Sequence, residues 1–374
     1  MTMGEEWTLI VSGNQFRLNN LDESLNESFK ELYTAWFGRG SINCNKFKES
    51  AKCFFDQNPD IYQKHNKYFE NFVFIWQFLS NQGKYAEAQK LWEFSLEPVL
   101  EWEQQNKSNR IHKGTAYYFF GVTALLQGES DKGYSLMHQA LEEDKKNDPK
   151  TLKQFPAYSF VTLNYKQIKQ FFRSWLLDQI NFLNENFLIK YKRKYESKLD
   201  LESFRVNYLE KIPDISLLYL FSYTLNRFYM FHNIREYALQ SPFASQLELN
   251  LLFDIALVID NSVNIKNPKN GTFIVHASFL SNTCRLGMNE EKLGTLNGMQ
   301  RDNFDGTLED LLNNNCTIDS YRIEGREKDL SITYCIRNHA AHNSSFSEVV
   351  WKRFSEIETS VFNTLFWVVD DLYS

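Results

Sequence analysis

The sequence predicts an all-α protein, in which a helical-repeat-like N-terminal region is followed by a C-terminal bundle of four or five helices. Apolar residues recur at helical spacing almost continuously after Glu23. Few of the 15 glycines and 7 prolines interrupt these runs. The last run, from Phe346 to Leu372, keeps one apolar stripe in steps of three and four residues, which is typical of a long packed helix.

Composition and charge restrict the kind of partner. With 43% hydrophobic and 24% charged residues, the 374-residue chain has the composition of a soluble globular protein of two or three domains. Its net charge of -6 does not by itself indicate a nucleic-acid-binding protein. Residues 151–240, however, contain 13 Lys and Arg against 8 Asp and Glu, whereas residues 241–374 contain 11 against 18. A locally basic region of this kind can bind phosphates.

The cysteines and the N-terminal residues predict a cytoplasmic protein with reduced thiols. None of the five cysteines forms a CxxC pair or a Cys/His spacing suited to zinc, and the acidic start lacks the layout of a signal peptide. No acidic cluster of metal-site type and no nucleotide-binding glycine motif is found, so we expect neither a metal nor a cofactor. The most apolar stretch, residues 215–231, is interrupted by Asn226 and Arg227, which favours a buried helix over a membrane span.

The chain is predicted to divide into segments 1–24, 25–148, 149–240 and 241–374. The first contains one small β-hairpin, because residues 7–11 and 15–18 flank the turn signal Gly13-Asn14. Asp148-Pro149 and Ser241-Pro242 mark the later boundaries.

Residues 25–148 contain two similar helical hairpins. Each has an apolar helix, a glycine turn at Gly83 or Gly128, and a small residue, Ala88 or Gly133, five positions later. The pattern resembles tetratricopeptide-type repeats, whose stacked hairpins bind a protein partner or a trigger. The two turns are 45 residues apart, longer than the usual repeat. True repeats and an irregular helical bundle both remain compatible with this spacing.

Residues 149–240 form a basic and aromatic helical region. Its most basic run spans residues 190–198 and alternates cations with tyrosines. Such a run could hold an RNA backbone while the rings stack on bases, or could be the solvated face of a helix. The candidate RNA-binding residues are Lys190, Lys192, Arg193 and Lys194.

In residues 241–374 we expect helices that begin with capping boxes at Ser245 and Ser345, because each serine is followed three residues later by a glutamate. A polar, Asn-rich stretch follows to about Gly325. The next helix is predicted from about Glu327 to His342.

The end of that helix has the pattern Arg-Asn-x-x-Ala-His, formed by Arg337, Asn338 and His342 together with Ala341. At this point the chain resembles the HEPN superfamily of helical domains, in which an arginine is followed after four to six residues by a histidine and often directly by an asparagine. The resemblance covers about the last 130 residues in architecture and six in sequence. It implies a small metal-free endoribonuclease, often a homodimer in which two motifs form one composite site. By position, His342 would be the general acid or base, Arg337 would stabilise the phosphate, and Asn338 would orient these groups.

The residue types suit this chemistry independently of the resemblance. RNA cleaves itself when the 2′-hydroxyl attacks the neighbouring phosphate, and a histidine can transfer the proton because it titrates near neutral pH. An arginine offers a planar set of donors to the charged phosphorane. The products would be a 2′,3′-cyclic phosphate and a 5′-hydroxyl, and DNA would be refused because it lacks the attacking group.

Helix geometry qualifies the assignment. On an ideal helix Arg337 and His342 point about 140° apart, so either the helix loosens near its end or two chains contribute to the site. His339 falls within an apolar stripe and is expected to be packed. His276 and the remaining histidines lack neighbours in sequence at ligand or catalytic spacing, which favours structural roles. The motif itself could instead be a helix-end arginine paired with a carboxylate and a capping histidine.

The sequence thus favours an RNA-cleaving enzyme, with a role in bacterial defence or as a toxin implied by the resemblance alone. Two alternatives remain open. One is a non-catalytic interaction protein, with the helical hairpins as its working surface and the C-terminal bundle as a dimerisation module. The other is the regulatory half of a toxin–antitoxin pair, with the motif occupied by a modifying partner.

Overall fold

A computed structural model describes residues 6–38, 40–168, 170–238, 242–268, 272–342 and 346–373. Within these ranges helices dominate, and the strands form two short antiparallel pairs. The all-α prediction is therefore confirmed. The chain divides into two compact units, Met1–Ser159 and Phe160–Ser374.

The elements from the start of the chain to the boundary between the units are β1 (Glu6–Val11), β2 (Asn14–Asn19), α1 (Glu23–Phe37), α2 (Cys44–Gln57), α3 (Tyr62–Asn81), α4 (Tyr85–Gln105), α5 (Gly114–Leu126), α6 (Ser130–Asn147) and α7 (Pro156–Val161). The helices of the second unit are α8 (Gln170–Leu183), α9 (Ile189–Tyr195), α10 (Leu201–Ser203), α11 (Ile215–Ala238), α12 (Pro242–Lys266), α13 (Phe273–Thr283), α14 (Glu290–Asp302), α15 (Phe304–Leu312), α16 (Gly325–His342) and α17 (Glu348–Leu372). Strands β3 (Thr317–Ile318) and β4 (Tyr321–Arg322) pair just before α16.

The predicted N-terminal hairpin is present, but its turn lies one residue earlier than expected. Val11 pairs with Asn14, so the two-residue turn is Ser12-Gly13. Both turn residues have positive φ angles, 49° and 81°. Such a turn matches the right-handed twist of the two strands, and glycine adopts this conformation at no steric cost.

The first unit contains the two predicted helical hairpins, α3–α4 and α5–α6. Gly83 and Gly128 end the first helix of each hairpin with positive φ angles of 68° and 87°. The residue after each glycine donates its backbone N–H to a carbonyl near the end of that helix. Gly133 lies against the Leu125 side chain and the Gly121 carbonyl, so a side chain there would collide with α5. The small residue allows α5 and α6 to pack closely.

The second unit is built around α12, α16 and α17, which pack against one another. Their facing sides bury Ile259, Ile336 and Leu365 completely. Helix α11 packs on α12, and α13, α14 and α15 surround α16. The C-terminal end of the motif helix is thus enclosed by neighbouring helices on several sides.

The predicted capping box at Ser245 was wrong. Helix α12 begins at Pro242, which fits a first helical turn because proline lacks a backbone N–H, and so Ser245 lies inside the helix. The cap of α17 is Ser347, whose hydroxyl accepts the N–H of Val350. The predicted cap, Ser345, lies outside the described residues. The polar, Asn-rich stretch before Gly325 contains α14, α15 and the β3–β4 pair.

Candidate functional site

A cavity of about 460 Å³ lies at the C-terminal end of α16. Pockets of roughly 300–1,000 Å³ are typical of small-molecule and cofactor sites. All three predicted catalytic residues, Arg337, Asn338 and His342, line this cavity. The other lining residues come from α13, α14 and α16 and from the residue before α13: Thr272, Phe273, Ile274, Asn297, Gln300, Arg301, Tyr334 and His339.

Arg337 is held on two sides. Its guanidinium pairs with Asp260 of α12, with 3.3 Å between Nη2 and Oδ2, and lies 5.5 Å from the ring centroid of Phe273. Its Nε is buried and has no hydrogen-bond partner. The ion pair and the ring fix the direction of the guanidinium, which presents its plane of donors beside the cavity.

Asp260 also has a second partner. Its Oδ1 lies 2.5 Å from Nδ1 of His276, a residue that is 5% exposed. The Nε2 atom of His276 is buried without a partner. The sequence interpretation missed both residues and treated His276 as isolated, because Asp260 and His276 lie on different helices with no local motif. One carboxylate thus orients the arginine of the motif and a buried histidine together.

Asn338 takes part in a short chain of side-chain amides. Its Nδ2 lies 3.4 Å from Oδ1 of Asn297, and the same oxygen accepts a hydrogen bond of 2.7 Å from Nε2 of Gln300. Burial raises the pKa of Tyr334, and a hydrogen bond with Asn338 opposes this shift. Asn338 therefore lies between a phenol and an amide, where it can orient both.

His342 is the last residue of α16 and is exposed. It makes no hydrogen bond or ion pair with another described residue. His339, in contrast, stacks on Phe304 with ring centroids 3.6 Å apart and planes inclined by 12°. Burial lowers the pKa of His339, and Asp305 partly offsets this effect. Of the two histidines, His342 is the one whose ring is available to a bound molecule, and His339 is packed as expected.

The cavity removes one difficulty posed by ideal helix geometry. Arg337 and His342 are expected to diverge on an ideal helix, yet both line the same cavity at the C-terminal end of α16. One chain therefore brings the three motif residues to one space without a partner.

The basic run lies outside the cavity, and its two tyrosines are bound to acidic residues. Tyr191 is fully buried and donates to Asp370, 3.1 Å away, and Tyr195 donates to Asp329. Tyr191 is therefore not available to stack on a base, whereas Tyr195 is half-buried, and the RNA-binding role of the run stays a prediction. Lys194 lies 2.9 Å from the buried Asp329, which gives this lysine a structural partner. The other candidate RNA-binding residues are exposed or half-buried and do not line the cavity: Lys190, Lys192 and Arg193.

Comparisons with known proteins identify no relative, so any functional assignment depends on the residues of this chain alone. No family model, no curated protein and no solved structure matches the chain. Within the described ranges, no group of three or more His, Cys, Asp or Glu residues is arranged to hold a metal ion. None of the helices described is both long and apolar enough to cross a membrane.

Proposed function

We propose that the second unit is a metal-independent endoribonuclease of the HEPN type. The observation that supports the proposal best is the shared cavity, since a motif chosen from sequence alone has its three polar side chains around one cavity. The buried and unpaired Nε of Arg337 adds to it, because such an atom is satisfied when a ligand oxygen arrives.

The proposed reaction uses the 2′-hydroxyl of RNA as nucleophile. His342 takes the proton of that hydroxyl while the 2′ oxygen forms a bond to phosphorus. The bond from phosphorus to the 5′ oxygen breaks, and the 5′ oxygen takes a proton from water. Arg337, oriented by Asp260, stabilises the additional negative charge on the phosphorane. The products are a 2′,3′-cyclic phosphate and a 5′-hydroxyl.

Incubation of the purified protein with single-stranded RNA in EDTA tests the proposal. We expect His342→Ala to lower the cleavage rate at least 100-fold, since a general acid or base contributes about 10²–10⁴-fold. We expect Arg337→Ala to lower it by about 100-fold or more. Asp260→Asn keeps Arg337 in place but orients it less well, and should cost about tenfold in kcat.

Arg322→Ala is the matched control, because Arg322 is 60% exposed and does not line the cavity. Analysis of the product ends distinguishes a cyclic phosphate from a 3′-hydroxyl. Equal activity of wild type and both motif variants, or no activity in any of them, would refute the assignment.

The wider role is proposed by resemblance only. The chain would act in the bacterial cytoplasm as a defence or toxin effector, as a homodimer, with RNA as its substrate. The helical hairpins of the first unit, interpreted as tetratricopeptide-like repeats, would bind the protein partner or trigger.

One observation favours a non-catalytic interaction protein as the alternative. Phe74 and Phe78 lie one turn apart on α3 and are 41% and 37% exposed, a feature typical of a protein-binding surface. Partner binding by wild type and His342→Ala alike, with no RNA cleavage by either, would favour this alternative. Co-purification of a nucleotidyltransferase-type protein would instead favour the regulatory half of a toxin–antitoxin pair.

A further inference from the structure

The cavity contains a polar side chain that the proposed cleavage reaction does not use. Gln300 of α14 is 6% exposed and lines the cavity beside Arg301. Its Nε2 donates to Asn297, whereas its Oε1 is buried and has no hydrogen-bond partner. A buried acceptor without a donor is costly, so this oxygen favours a bound molecule that supplies one.

The position of Gln300 fits an acceptor that is presented to a ligand. Rotation about the last side-chain torsion of glutamine meets a broad energy well, so the direction of Oε1 can adjust to a ligand at low energetic cost. Asn297 limits that rotation because it holds the opposite end of the amide. The same Asn297 oxygen receives Asn338 of the motif, which links the glutamine to the proposed cleavage site through two hydrogen bonds.

The surroundings of Gln300 suit a nucleobase. The cavity wall includes the rings of Phe273 and Tyr334, whose planes are inclined by 20° with centroids 5.7 Å apart. Arg301 and Arg337 add positive charge on the same cavity. Single-stranded RNA is read by this combination of aromatic surface, cation for the backbone and hydrogen bonds to the Watson–Crick edge.

We infer that Gln300 is a specificity-determining residue that accepts a hydrogen bond from the exocyclic amine of an RNA base next to the cleaved phosphate. Adenine, cytosine and guanine carry an exocyclic amine, whereas uracil carries only carbonyl oxygens outside its ring. A carbonyl oxygen facing Oε1 would leave two acceptors opposed. This inference rests on the proposed ribonuclease activity and adds the class of base that the site prefers.

The test uses oligodeoxynucleotides with a single ribonucleotide, in which only one phosphate can be cleaved. All flanking bases are thymine, which lacks an exocyclic amine. In one series the base on the 5′ side of the phosphate is adenine or purine, the analogue without the amine. In a second series the base on the 3′ side is varied in the same way. We expect wild type to prefer adenine in one of the series by about tenfold in kcat/KM, the effect of one hydrogen bond to a buried acceptor.

Gln300→Met has a similar size without the acceptor, and should reduce the preference to about one while cleavage of the purine substrate persists. The exposed Gln105→Met is the control and should keep the preference. Fluorescence anisotropy can measure the binding of the adenine and purine oligonucleotides to His342→Ala, which does not depend on cleavage. In the series that shows the preference, the two dissociation constants should differ by the same factor of about ten.

The outcomes separate this inference from the proposed function. Cleavage by wild type without preference in either series overturns the role of Gln300 and leaves the ribonuclease intact. A preference that Gln300→Met retains overturns it as well. Absence of cleavage of every substrate counts against the ribonuclease. If the adenine and purine oligonucleotides then also bind equally well in the anisotropy measurement, the base preference is overturned too.

Discussion

Glu248 and Glu358 lie in a buried group of ionisable side chains between α11, α12 and α17. Glu248 is fully buried, with Oε1 3.3 Å from Nε of Arg235, and its Oε2 has no partner. Glu358 is 4% exposed and lies 2.8 Å from Nε2 of His232. Burial raises the pKa of Glu248 to about 7, an effect that Arg235 opposes and the nearby Glu358 reinforces. Burial likewise raises the pKa of Glu358, which His232 opposes.

The raised pKa of Glu248 predicts that this residue makes the folded state more stable at acidic than at neutral pH. The folded state holds this proton up to about pH 7, whereas the ordinary pKa of 4.5 applies to the unfolded chain. The folded state therefore binds more protons in that interval, and its stabilisation is lost as pH rises from about 4.5 through about 7. The difference of 2.5 pH units corresponds to at most about 3 kcal/mol.

Urea unfolding at several pH values between 5 and 8 measures this effect. Glu248→Gln keeps the shape of the protonated acid but releases no proton. As the pH rises from 5 to 8, its free energy of unfolding should therefore decrease less than that of wild type. The exposed Glu93→Gln should follow the wild-type curve. Parallel curves for wild type and Glu248→Gln would show that the carboxyl does not release a proton in this interval.

At the same scale, the sequence predicted only the part of the site that is local. Arg337 and His342 share one helix end, so their spacing is visible in the sequence. Asp260 is 77 residues away from Arg337, and Asn297 is 41 residues away from Asn338. Packing of α12 and α14 against α16 brings these residues together, and no short motif encodes such a contact.

At the scale of single helices, the two glycine turns of the first unit could be predicted from the sequence, because glycine is the residue that favours such helix ends. A residue with positive φ after a helix stabilises the helix end, and glycine is the residue that accepts this angle without strain. No atom lies within 4 Å of a methyl group built on Gly83 or Gly128, so an alanine there would meet backbone strain alone. We expect Gly83→Ala and Gly128→Ala each to lower the free energy of unfolding by about 1 kcal/mol.

Gly294, inside α14, provides the contrast. It also has nothing within 4 Å, but its φ is not in the left-handed region. Alanine is favoured over glycine within a helix by about 0.5–1 kcal/mol, so Gly294→Ala should raise stability. Chemical unfolding of the three variants measures whether each substitution raises or lowers the free energy of unfolding. A loss at Gly294, or no loss at either turn, would contradict this account of the turns.

Helices α14 and α15, which the sequence did not predict, are each preceded by an asparagine. Apolar stripes made α16 and α17 predictable, whereas α14 and α15 lie in a stretch whose sequence showed only that it is polar and rich in asparagine. In the structure, Asn289 accepts the N–H of Lys292 and Asn303 accepts that of Gly306, so each asparagine caps a helix. A residue type typical of loops is also a preferred N-cap, and composition alone does not separate the two roles.

For the whole molecule, the division into two units assigns the proposed chemistry to one of them. Asp260, His276, Gln300, Arg337 and His342 all belong to the unit that spans residues 160–374. The sequence suggested that the functional domain begins at residue 241. In the structure, residues before that point contribute to the same unit, because Lys194 and Tyr195 bind Asp329 of α16.

The contacts of the middle region predict which fragment retains activity. Phe187 stacks on Phe362 with ring centroids 3.9 Å apart, and Tyr191 packs on Phe366. A fragment of residues 241–374 would expose these rings of α17 and leave Asp329, which is 1% exposed, without two of its partners. An unpaired buried carboxylate and an uncovered apolar face are each strongly destabilising.

We therefore expect residues 160–374 to unfold cooperatively on heating, to cleave RNA, and to appear as a dimer in native mass spectrometry. Residues 241–374 alone should lack a cooperative transition. If the shorter fragment folds and cleaves, the middle region is dispensable and the contacts with α9 contribute little. If the longer fragment folds but cleaves only when residues 1–159 are present, the first unit activates the enzyme. A folded and active fragment that stays monomeric at every concentration would refute a composite site, because one chain then supplies all the groups that the reaction needs.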